Sequence, residues 1–62
     1  MKAPRLRSIR ESRFMTQVEL ATAAGVHEIT VTRLEAGQDA QMSTIRKLAS
    51  ALGVKPEELV GD

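Results

Sequence analysis

Apolar residues return every three or four positions through most of this chain, and glycine or proline interrupts the repeat at intervals. Pro4 suits the first turn of a helix running to Arg13, with Leu6, Ile9 and the aliphatic stem of Arg13 on one side. Thr16 and Glu19 have the T-x-x-E spacing of a capping box, in which the hydroxyl takes the third helical N–H and the carboxylate reaches back. The helix they open passes through Leu20, Ala21 and Ala24 to Gly25, which can take the left-handed position after a helix end. Ser43 suits the cap of a later helix in which Ile45, Leu48, Ala49 and Leu52 recur before Gly53. Lys55-Pro56-Glu57-Glu58 places proline at a first helical position and two acids at the positive end of the helix dipole, so a short last helix ends near Gly61.

Between these segments lies HEITVTRLEAG, residues 27–37, whose middle alternates apolar and polar β-branched residues as a half-buried strand does. A lone four-residue strand among helices would leave its backbone groups unpaired, so tertiary context should override the β propensity. As a helix closed by Gly37, the segment sorts by face: Val31 and Leu34 point inward with Val26 behind them. Glu28, Ile29, Thr32, Arg33 and Ala36 lie on the outer side. The expected architecture is all-α, a compact bundle of five short helices forming a single domain over residues 1–62.

Composition narrows the chemistry. A chain of 62 residues buries only about 60% of the surface it would expose unfolded, so its stability should be small. Without cysteine, neither disulfides nor thiolate metal sites can reinforce the fold, and a reducing compartment such as the cytoplasm is the expected setting. No apolar run approaches the roughly 18 residues of a membrane span. Phe14 is the one aromatic residue, which argues against stacking on single-stranded bases. With one histidine and no metal-ligand spacing, no nucleophile-base pair or metal set can be assembled; the chain is not expected to be an enzyme or to need a cofactor.

The formal net charge of +1 conceals an asymmetry. Residues 1–13 carry Lys2, Arg5, Arg7, Arg10 and Arg13 against Glu11 alone, whereas acids outnumber bases in the remainder. Such a basic end suits contact with a polyanion, and equally a solvated helix face. Being Arg-rich with one acid, the same segment also fits a transit peptide, but Leu6 and Ile9 mark it as a working helix.

A capped helix, a tight turn at AAGVH and a second helix ending in glycine make a helix-turn-helix plan over about residues 16–36. With TQVELA, TRLEAG and LASALGVKPEEL added, nearly the whole chain resembles the lambda-repressor-like, Cro/C1-type DNA-binding domain, also called the XRE family. That resemblance implies a double-stranded DNA partner, with Gln17 gripping a phosphate at a helix N-terminus. It places His27, Glu28, Ile29, Thr32 and Arg33 on the helix that faces the major groove. It also implies an Arg10–Glu35 pair bridging the first helix to the end of the third, with the guanidinium close to phosphate. Met15, Leu20, Ala21, Val31, Leu34, Leu48 and Leu52 match its core.

Chemistry refines these roles. Arg33 can donate twice to guanine, Glu28 can accept from cytosine, Ile29 suits a thymine methyl, and His27 can donate to a phosphate. The base contacts expected are thus Glu28, Ile29, Thr32 and Arg33, and the phosphate contacts Gln17, His27, Arg10 and Gln38. Departures from the family pattern are Phe14 and Ala36, where glycine and asparagine are common, and a loop after Gly37 that holds Asp39 but no base.

Two functions fit. The first is a sequence-specific transcriptional regulator, most simply a repressor, acting as a homodimer on a palindromic operator in the cytoplasm of a bacterium or archaeon, or phage-encoded. The second is a protein-interaction module or antitoxin-like subunit whose last two helices take a partner. Gln17, Arg33 and the basic first helix favour the former; the acidic second half favours the latter. Leu59 and Val60 are the candidate dimer contact, and could equally close the core.

Overall fold

In the computed structural model, which describes residues 1–61, the five punctuated segments are all helical. They are α1 (Leu6–Ser12), α2 (Gln17–Ala24), α3 (Glu28–Glu35), α4 (Met42–Leu52) and α5 (Pro56–Val60). No strand occurs among the described residues. The capping box at α2 forms as its spacing predicts: Thr16 Oγ1 accepts from the Glu19 N–H at 3.0 Å, and Glu19 Oε1 accepts from the Thr16 N–H at 2.8 Å. At the other end Gly25 adopts φ 71°, a left-handed turn that lets the Val26 N–H return to the Ala21 carbonyl at 3.0 Å and swings the chain into α3.

The poor helix formers of α3 are held by burial. Val31 is fully buried and Leu34 nearly so, in one cluster with Leu6, Leu20, Ile45, Leu48 and Leu59, and each such side chain contributes about 1.5–3 kcal/mol. Helix α2 packs on both α3 and α4, α1 touches α3 and α5, and α5 closes against α4. The outer face of α3 remains open.

Several local expectations change. Helix α4 starts at Met42, so Ser43 is not its cap; Gln41 holds that position without a side-chain bond. A backbone pairing decides this: Ala40 donates to the Met1 carbonyl at 2.7 Å and accepts from the Met1 amine at 2.8 Å, which fixes the chain extended just before the helix. Pro4 lies in a turn preceding α1 rather than in its first helical turn. Arg13 follows the helix end, and its Nε donates to the Leu52 carbonyl at 3.2 Å, joining the ends of α1 and α4. Of the two readings left open for Leu59, the core contact is the one formed, since Leu59 is fully buried; Val60 stays partly exposed.

A buried ion pair ties α1 to α3. Arg10 Nε donates to Glu35 Oε2 at 2.6 Å and Nη2 to Oε1 at 3.0 Å, a two-pronged bridge whose side chains are only 10% and 5% exposed. The third donor, Nη1, takes the Met15 carbonyl at 2.7 Å and so pins the α1–α2 turn as well. Burial alone would push the Glu35 carboxyl up. Hydrogen bonds from Arg10 and Gln17, with the charge of Arg10, outweigh it and hold the group below its ordinary range. The hydrogen bond to Glu35 likewise raises Arg10 against the opposing effect of burial, so both groups are charged in the fold.

The α1–α2 turn holds a conformational oddity. Phe14 has φ 57°, the one non-glycine residue with positive φ among those described, and its side chain is left in solvent, the residue being 95% exposed. Neither packing nor backbone preference favours phenylalanine there.

Three stability outcomes follow. Because the Glu35 carboxyl is lowered on folding, its contribution is complete above the ordinary glutamate range and is lost as pH falls through the folded-state value. Thermal melts followed by circular dichroism should therefore steepen in pH dependence below about pH 4, with a shallower slope in Glu35→Gln. Glu35→Ala, which strands a buried guanidinium, should cost about 3–5 kcal/mol at pH 7. Phe14→Gly should gain about 0.5–1 kcal/mol by relieving the left-handed strain, less the extra chain entropy of glycine, and raise Tm by several degrees in the same melts.

Candidate nucleic-acid interface

Helices α2 and α3, joined at Gly25, carry the expected site residues, and the geometry groups them unequally. Glu28, Ile29, Thr32 and Arg33 are all exposed on α3, with Ile29 45% open to solvent although apolar. That exposure excludes Ile29 from the core. Among the described residues the Arg33 guanidinium and the Glu28 carboxylate have no side-chain partner, so a donor fork and an acceptor stand ready on one face.

His27 has a local task. It is the N-cap of α3, and its Nδ1 accepts from the Ile29 N–H at 3.1 Å, so only Nε2 is left to donate outward. Any outward donation from this ring must therefore come from Nε2 while Nδ1 holds the cap. Gln38 follows the helix with its side chain exposed, its own N–H spent on the Arg33 carbonyl at 3.0 Å. Asp39 lies 3.5 Å from the Met1 amine, which gives this acid a structural partner.

Gln17 and Thr32 extend the buried ion pair to the surface. Gln17 Nε2 donates to Glu35 Oε1 at 3.0 Å, and its Oε1 accepts from the Thr32 hydroxyl at 2.9 Å. Four side chains from three helices thus form one chain of bonds: Arg10, Glu35, Gln17, Thr32. Arg10 itself is nearly covered, with three donors spent inside, and is placed as the bridge; little of its guanidinium is left for a phosphate. The sequence pointed to each of these residues but not to the Gln17–Glu35 and Gln17–Thr32 bonds, whose partners stand 18 and 15 positions apart. Also missed was an apolar depression of about 230 Å³ between α4 and α5, lined by Met1, Met42, Ile45, Arg46, Pro56, Glu57 and Val60. Met42, 59% exposed, was the available signal, as a large apolar residue outside the inward-facing set of α4.

Comparison with known proteins agrees with this geometry. A family model described as helix-turn-helix matches residues 6–59. The chain is 40% identical over 55 residues to the antitoxin candidate HigA2 of Mycobacterium tuberculosis, covering 86% of this chain and 54% of that protein. It thus spans about half the length of this relative. Among solved structures, the restriction-modification controller protein C.AhdI from Aeromonas hydrophila superposes with a TM-score of 0.85 at 36% identity, covering 89% of this chain and 85% of that one. With the two-helix unit, its left-handed glycine turn and the matched span in hand, the chain belongs to the helix-turn-helix family.

Proposed function

We propose that α3 enters the major groove of an operator and reads it through Glu28, Ile29, Thr32 and Arg33, while Gln17, His27 and Gln38 contact the flanking phosphates. The observation that carries this reading is the open outer face of α3, where four side chains of different chemistry stand exposed beside the N-terminus of α2. Arg33 supplies the bidentate donor for guanine; Gln17 has a second amide hydrogen free of its internal bonds. Arg10 acts from beneath, holding the two helices in register.

The working unit in this reading is a homodimer on a palindromic site, repressing by occupancy, with half-sites about 34 Å apart. The apolar depression at Met42, Pro56 and Val60 supports α4 and α5 as the face that a second copy covers. A second reading is favoured by the likeness to HigA2: as part of an antitoxin, the chain would offer this same face to a different protein.

Titration of labelled duplex at several salt concentrations tests the DNA reading, since phosphate contacts make affinity fall with added salt. Arg33→Ala should cost about 1–3 kcal/mol at one base pair and relax the preference there, whereas Gln17→Ala should weaken all sequences alike. Absence of salt-sensitive binding would sink the proposal. For the dimer, sedimentation should show a two-fold species that Val60→Asp converts to monomer; a wild-type chain that sediments as monomer while binding DNA favours the antitoxin reading.

A further inference from the structure

We propose that Thr32 meets its base as a hydrogen-bond acceptor only, selecting the exocyclic amino group of adenine or cytosine over the keto oxygen of guanine or thymine. This rests on α3 being the helix that enters the groove. The reason lies in the direction of the bonds behind it. A guanidinium can only donate and an ionised carboxylate can only accept, so the buried end of the chain, Arg10 to Glu35 at 2.6 Å, has a fixed polarity. Glu35, its side chain 5% exposed, cannot turn to water, and it takes a further bond from Gln17 at 3.0 Å.

That bond orients the Gln17 amide: nitrogen toward Glu35, oxygen toward α3. The oxygen accepts from Thr32 Oγ1 at 2.9 Å, and a hydroxyl has a single hydrogen to give. The other acceptor within reach is also internal, the Glu28 carbonyl at 3.3 Å. Whichever takes the proton, Thr32 shows DNA only lone pairs and its methyl group. In the major groove the accessible donors on base edges are the amino groups of adenine and cytosine. The buried ion pair therefore sets a base preference it never touches, and the outer face reads acceptor at Glu28, apolar at Ile29, acceptor at Thr32 and donor at Arg33.

Selection from a random duplex library, run with the wild-type chain, Thr32→Ser and Thr32→Val, tests the assignment. The wild-type motif should contain one position restricted to adenine or cytosine, with roughly tenfold weaker binding when guanine or thymine replaces it. Thr32→Ser, which keeps the hydroxyl and both internal acceptors, should retain that restriction. Thr32→Val, of the same shape, should lose it while leaving the other positions intact. Salt-sensitive binding in which the position altered by Thr32→Val favours guanine or thymine, or in which no position is altered, overturns the inference and leaves the DNA reading standing. Failure of the wild-type chain to bind any duplex overturns both.

Discussion

A guanidinium and a carboxylate held 2.6 Å apart beneath the surface govern how this small helical domain presents the outer face of α3. Taking both charges out of water is costly, and their attraction offsets it only if the geometry is good and the remaining polar atoms find partners. Here they do. Arg10 gives its three donor nitrogens to Glu35 and the Met15 carbonyl, and Glu35 takes a further bond from Gln17. No buried side-chain polar atom among the described residues lacks a partner. The bridge does not replace the aliphatic core, which supplies the bulk of the stability. What it adds is direction, because each hydrogen bond beyond it inherits a sense that an apolar contact could not impose.

This matters in a protein with little electrostatic reserve. Net charge is +1, the loop after α3 contains Asp39 and no base, and Glu28 stands on the outer face of α3 itself. In the proposed DNA reading, non-specific attraction to a duplex is correspondingly modest, and discrimination would rest on groups held in fixed orientation, above all the Arg33 fork and the Gln17–Thr32 pair. The face formed by α4 and α5 has a different character. Met42, Pro56 and Val60 line an apolar depression there, on helices other than those that carry the proposed reading face.

Much of the fold was legible before any coordinates. The capping box at Thr16 and Glu19, the glycines after α2 and α4, and the proline opening α5 each set a helix boundary through contacts within about four residues. The inward set of α4 emerged from its repeat alone. The segment 27–37 was harder, since its β-branched residues argue for a strand locally; burial of Val31 and Leu34 against α2 and α1 overrides that preference. The failures share a form. Ser43 lost its capping role to a pairing between Ala40 and Met1, and Leu59 proved internal because α5 folds back onto α4. Phe14 occupies a left-handed turn that no propensity would assign to it.

By itself, then, the sequence determined the number and order of helices, the family, and the identity of the residues facing outward from α3, because periodicity and caps are written in neighbours. Only the tertiary structure decided what those residues can do. It made His27 a cap rather than a free ring, sank Arg10 into a bridge, and directed the hydroxyl proton of Thr32 to acceptors inside the protein. The physical reason is that a hydrogen bond's direction depends on which partner the packing supplies. Here Gln17 and Arg10 share one partner, Glu35 on α3, which lies 18 and 25 positions away from them along the chain.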